Sequence, residues 1–150
     1  YESGSWKRED LLTGQPRPRL RVVHGGSRSP GSELAHWIVN ILERLQALAA
    51  LGPNWDTYGA PPVDRELIPE VLQFLASSWG SVGLPLPAIV PTSTGGFQVE
   101  WSSGGLEVEV EWKRIGSDPT VLLCDENTGE EWEGSCLDEK FSLALERLRA

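Results

Sequence analysis

A chain of 150 residues with a formal charge of −9, two cysteines and seven tryptophans suits one compact domain that buries roughly two-thirds of its surface without metal or disulfide support. Cys124 and Cys136 are too few for a disulfide framework and lack CxxC or Cys/His spacing, so reduced thiols in a cytoplasmic protein, and no zinc site, are expected. No apolar run approaches the roughly 20 residues of a membrane span and no signal-peptide pattern is visible, so a membrane partner is not expected.

The charge is unevenly spread. Residues 1–32 carry Lys7, Arg8, Arg17, Arg19, Arg21 and Arg28 against Glu2, Glu9 and Asp10, a net of +3, which leaves −12 on residues 33–150. The first segment is rich in Gly, Ser, Pro and Arg and reads as a flexible basic arm with one short strand near residues 20–23; the second reads as a single acidic domain. Such a body repels phosphate and favours a basic protein partner, so direct nucleic-acid contact is expected only through the arm. The bland alternative is that the charge serves solubility.

A helix is predicted from an N-cap at Ser32 to about Leu51, with Leu34, Trp37, Ile38, Ile41, Leu42, Leu45 and Leu48 on one face. His36 is expected at the edge of that face, and Gly52-Pro53 ends the element. The connection Asn54-Trp55-Asp56-Thr57-Tyr58-Gly59-Ala60-Pro61-Pro62 spends two aromatics on a loop. It reads as a packed Ω-type loop in which Trp55 plugs the core, Asp56 caps backbone N–H groups and Gly59 supplies a positive φ. The same Trp55, Asp56 and Tyr58 also read as a recognition surface.

Asp64 is a candidate N-cap for a second helix running to about Trp79, with Leu67, Ile68, Val71, Leu72, Leu75 and Trp79 inward; Pro69 marks the alternative start. A short strand, Ala88–Pro91, and a Thr92–Gly96 turn lead to Phe97-Gln98-Val99-Glu100-Trp101, Ser102-Ser103-Gly104-Gly105 and Leu106-Glu107-Val108-Glu109-Val110-Glu111-Trp112. Strict alternation around a Gly-Gly turn predicts a β-hairpin with one apolar and one acidic face. A two-residue turn sets Glu100 opposite Glu109, and a four-residue loop sets it opposite Glu107. Either way acid faces acid, which destabilises a sheet by a few tenths to about 1 kcal/mol.

Residues 113–119 break the sheet. Val121-Leu122-Leu123-Cys124, apolar on both faces, reads as a buried strand, and Asn127-Thr128-Gly129 turns toward Glu130-Glu131-Trp132-Glu133. A last helix is predicted over 137–149 with Leu137, Phe141, Ala144, Leu145 and Leu148 on its stripe. The order α-α-β-β-β-β-β-α predicts an α+β fold, an antiparallel β-meander of four or five strands with helices packed on one face.

Asn54–Pro62, then Val90-Pro91-Thr92-Ser93-Thr94-Gly95-Gly96-Phe97-Gln98-Val99-Glu100-Trp101, and later Gly129-Glu130-Glu131-Trp132-Glu133-Gly134, resemble a group of small uncharacterised bacterial and phage-borne proteins. Those show a "WDGYGA-P" loop, a "PTPDGG-EW" hairpin and an acidic "LEIEI" strand. Thr57 stands where the group carries Gly, and Ser93-Thr94 where it carries Pro-Asp. The resemblance covers about residues 50–134, implies shared architecture and assigns no catalytic residue.

The leading functional expectation is a non-enzymatic protein-binding module of antitoxin, immunity or inhibitor type. In it Glu100, Glu107, Glu109 and Glu111, with Gln98 and also Glu131 and Glu133, form a sheet face that docks on a basic partner. The bland reading of each glutamate is a solvated strand face. A second reading is a metal-dependent nuclease, because Glu111-Trp112-Lys113 matches the E-x-K half of the PD-(D/E)xK pattern and Glu100 or Glu109 could supply a second carboxylate from about 5 Å away. Against it, no Pro-Asp precedes at the usual place and the charge would repel the substrate. A third is an accessory subunit docking through the arm. No phosphate loop, nucleophile elbow or triad signature is present, so neither a cofactor nor enzymatic activity is expected.

Overall fold

The computed structural model describes residues 30–149; the expected arm and its strand near 20–23 fall outside the described residues up to residue 29. The chain divides into units 1–33 and 34–150, and of the first only a helical turn is described. That turn opens α1 (Pro30–Ala49), which begins two residues before the expected Ser32 cap, at a proline whose fixed φ suits a first helical turn. Trp37, Ile41, Leu45 and Leu48 are buried along it. His36 is exposed rather than at the core edge, since one residue before Trp37 lies about 100° round the helix.

Asp64 caps a single 3-10 turn, Arg65–Leu67, its carboxylate accepting from the Glu66 N–H at 3.0 Å. Helix α2 (Ile68–Ser78) follows with Pro69 in its first turn, where the missing N–H costs least. Leu67, Val71 and Leu75 are buried as expected. Phe74, absent from the expected face, is packed against the core: its ring stands edge-on to Trp112 at 5.1 Å and stacks with Phe141 at 5.8 Å. Each such pair contributes about 0.5–1.5 kcal/mol beyond its buried area.

Five strands follow: β1 (Ala88–Pro91), β2 (Phe97–Ser103), β3 (Leu106–Trp112), β4 (Thr120–Asp125) and β5 (Glu130–Ser135). They pair antiparallel in the order β1-β2-β3-β4-β5, a meander, and α3 (Glu139–Arg149) closes the α+β fold. The helices supply Ile41, Leu45, Val71, Leu75, Phe141 and Leu148 to one core with Val99, Val108, Val110, Trp112 and Val121. Every strand residue in that set shares one parity, so the helices occupy one face of the sheet.

Gly104 and Gly105 both hold positive φ, 58° and 85°, the backbone a type I′ turn demands. Ser103 therefore pairs with Leu106, Trp101 with Val108 and Glu100 with Glu109, which eliminates the four-residue loop. Two other expectations are corrected. On β4 only Val121 and Asp125 are buried; Leu122 is 44 % exposed because no layer covers the other face of the sheet among the described residues, so β4 is not a strand buried on both sides. Leu137 is 90 % exposed and precedes α3, because Asp138 rather than a residue upstream accepts from the Lys140 N–H at 2.9 Å and starts the helix.

Helix α3 is tied through its last turn. Arg147 donates to Asp125 at 2.9 Å, while the other carboxylate oxygen of Asp125 accepts from the Asn127 N–H at 2.9 Å. Arg149 donates to the carbonyls of Ser78 and Trp79 where α2 ends. At the start of β2, a Cβ on Gly96 would stand 1.9 Å from the Trp112 carbonyl oxygen, so only glycine lets β2 and the end of β3 close. Gly96→Ala is expected to lose about 1–3 kcal/mol or more of stability, read as a lower urea midpoint at constant slope.

Candidate functional site: an acidic sheet face

The face away from the helices carries Gln98, Glu100 and Ser102 on β2, Glu107, Glu109 and Glu111 on β3, Leu122 and Cys124 on β4, and Glu131 and Glu133 on β5. Four of the expected site residues, Glu100, Glu107, Glu109 and Glu111, thus meet on adjacent strands. The register assembles rows across the sheet: Ala88, Glu100, Glu109, Leu122 and Glu133 form one, and Ser102, Glu107, Cys124 and Glu131 the next. Neighbours within a row lie about 5 Å apart.

Glu109 sits at the middle of this field. Partial burial, then the charges of Glu100, Glu107 and Glu111, push its carboxyl above the ordinary value. Gln98 relieves part of the repulsion: its side-chain amide donates to Glu100 at 2.6 Å and to Glu109 at 3.4 Å, one N–H to each carboxylate. Among the described residues no ion pair reaches an acid of this face; the recorded pairs are Lys140–Glu130, Arg147–Asp125 and Arg149–Glu146. The Cys124 thiol is pushed up by burial and by Glu131 and Glu107, which keeps it protonated and poorly nucleophilic.

Leu122, at the centre of the face, escapes sequence reasoning for a physical reason. The β3–β4 connection spans seven residues, 113–119, and carries no tight-turn signal that would fix which β4 residues share a face with the glutamates.

Trp55, Asp56 and Tyr58 lie in the loop after α1, and among the described residues no hydrogen bond or ion pair joins them to the acidic face. The carboxylate of Asp56 accepts from the N–H groups of Tyr58 at 2.8 Å and Ala60 at 3.1 Å, so it organises the loop as expected. Asn54 accepts from the Gly59 N–H at 2.7 Å, and Gly59 holds φ 84°. Trp55 does not plug the core: it is half-buried, and its indole N–H donates to the Pro61 carbonyl at 3.1 Å, folding the ring across its own loop. Ala60 and Val63 are the buried residues there. Tyr58 is 91 % exposed.

In the E-x-K arrangement the acids nearest Glu111 are its own-strand neighbour Glu109 and, diagonally on β2, Glu100. β3 ends at Trp112, Lys113 begins the exposed connection, and Glu111 is opposed by Gln98 and Thr120. Among the described residues no group of three or more His, Cys, Asp or Glu is placed to hold a metal ion, and no helix is long and apolar enough to cross a membrane. Comparison with protein-family models, with curated proteins and with solved structures finds no match.

Two measurements probe this geometry. A carboxyl raised in the folded state binds its proton more tightly there than in the unfolded chain, so Glu109 makes stability fall as pH rises from its ordinary value of 4.5 through its raised one. Asp125, held below its ordinary value by Arg147, acts oppositely, its contribution being lost as pH falls through that lowered value. Glu109→Gln is expected to flatten the decline above pH 4.5 and to add a few tenths to about 1 kcal/mol at pH 7, read from urea midpoints across pH. Thr57, β-branched, holds φ 65°. Relief of about 1–3 kcal/mol of strain outweighs the about 0.4–1 kcal/mol entropy cost of glycine, so Thr57→Gly is expected to raise stability by about 1 kcal/mol, seen as a higher melting temperature.

Proposed function

We propose that the chain is a non-enzymatic binding module, of the kind that neutralises or inhibits a basic protein, and that it engages its partner through the acidic face of the sheet. One observation carries this reading: Glu109 stands opposite Glu100 and beside Glu107 and Glu111 with its carboxyl pushed up, and no cation of the described residues pairs with any of them. Opposed acids cost stability, whereas basic side chains of a partner would turn that cost into attraction and would steer association.

The exposed Tyr58 offers a second contact, independent of the first because its loop is held by its own hydrogen bonds. Kinship with the "WDGYGA-P" proteins belongs to the same proposal, and the positive φ of Thr57, where that group carries Gly, supports it.

The triple variant Glu107→Lys, Glu109→Lys, Glu111→Lys decides the matter. Binding to proteins captured by the natural chain should weaken by about tenfold or more and lose its dependence on salt. Capture that survives the reversal, and that 0.5 M salt leaves unchanged, overturns the reading.

A further inference from the structure

A meander of order β1-β2-β3-β4-β5 has two open edges, and the chain treats them differently. β1 has four residues, ends in Pro91, follows Pro87, and its Ile89 carbonyl accepts from the Arg44 side chain at 3.2 Å. Proline and a capped carbonyl are the devices that blunt an edge against further pairing. β5 has six residues without proline, and among the described residues it pairs with β4 alone. Its charged side chains, Glu130, Glu131 and Glu133, oppose an acidic strand but not a basic one.

Its side chains divide by parity. Glu131 and Glu133 extend the acidic face to the edge, and both are exposed. Trp132 points to the helix side, half-buried against the core, with its ring laid over Gly134: a Cβ there would meet the ring at 2.3 Å. An aromatic ring left half-exposed at an open strand edge is the type of group that anchors an incoming chain.

We propose that β5 is a docking strand, which takes an extended segment of a partner protein as a sixth strand of the sheet. The segment alternates Lys or Arg with apolar residues. Its basic side chains meet Glu131 and Glu133 on one face, and its apolar ones pack beside Trp132 on the other. A second copy of the chain does not fit, because antiparallel pairing of two β5 edges sets Glu131 and Glu133 against acids of the same kind. The charge of the partner rests on the basic-partner reading above; the place and the backbone mode of binding do not.

The test uses the full chain and three synthetic peptides: one alternating Lys with Val, one with Glu in place of Lys, and the Lys peptide N-methylated at its interior residues so that it keeps its charge and loses its backbone donors. The Lys peptide should bind and slow amide exchange along Glu130–Ser135, while the Glu and N-methylated peptides should not. Glu131→Lys with Glu133→Lys should weaken the Lys peptide by about tenfold and admit the Glu peptide. Trp132→Ala should weaken it with charge unchanged, whereas Glu100→Gln with Glu109→Gln should leave it bound. Equal binding of the N-methylated peptide, lost in the Glu100/Glu109 variant, overturns strand addition while leaving the acidic-face reading intact. Absence of Lys-peptide binding overturns strand addition as well, and the triple lysine variant then decides the acidic-face reading separately.

Discussion

Gly104 and Gly105 bear the constraint from which the rest of this sheet is derived. With both at positive φ the turn holds two residues, and that count sets Ser103 opposite Leu106 and every pair beyond it. A slip of one residue between β2 and β3 would carry one strand's apolar set, either Val99 and Trp101 or Val108, Val110 and Trp112, to the solvent side and bring that strand's glutamates inward. The helices could not then cover the sheet. Trp112 illustrates the dependence: it is fully buried, meets the Phe74 ring edge-on, and its carbonyl lies so near Gly96 that no side chain fits there. One short turn thus positions the aromatic contact between strand and helix and requires the glycine across from it.

The acids ride on the other parity of the same register. Burying Val99, Val108 and Val110 stabilises the sheet by about 1.5 kcal/mol or more each, against at most about 1 kcal/mol for an opposed pair of carboxylates, so the apolar face wins and the acidic face is tolerated. Gln98 lowers that cost by sharing its amide between Glu100 and Glu109. Replacing two of the glutamates by neutral residues would lower it further without touching the core. The four acids are therefore not required by the core, and the proposed binding role accounts for their presence.

The two sheet edges repeat this contrast. At β1, Pro87, Pro91 and Arg44 close the backbone to further pairing; at β5, among the described residues, the backbone pairs with β4 alone and the side chains of the edge are acidic. Like charge discourages self-association through β5, and the proposed basic strand would meet no such repulsion. The loop after α1 follows another logic, since Asp56 and Asn54 spend their oxygens on backbone N–H groups and Tyr58 is its exposed aromatic.

Much of this was legible in the residues themselves. Alternation between Phe97 and Trp112, the Gly-Gly turn, the helical spacing of α1 and the proline in the first turn of α2 act through neighbours one to four positions away, so the element order, the hairpin and its acidic face follow from local chemistry. Phe74 also stood within reach of such reasoning, three residues after Val71 on the same helical face. Other features depend on contacts distant in the chain. Whether Leu122 is covered depends on how many layers flank the sheet; whether Trp55 enters the core depends on how its loop folds back onto Pro61; and the edge status of β5 depends on strand order. By itself the sequence determined the elements and the parity of their faces, because steric and periodic rules are local. Tertiary structure alone decided which face and which edge the described residues leave uncovered, because those follow from packing between segments that no short-range pattern encodes.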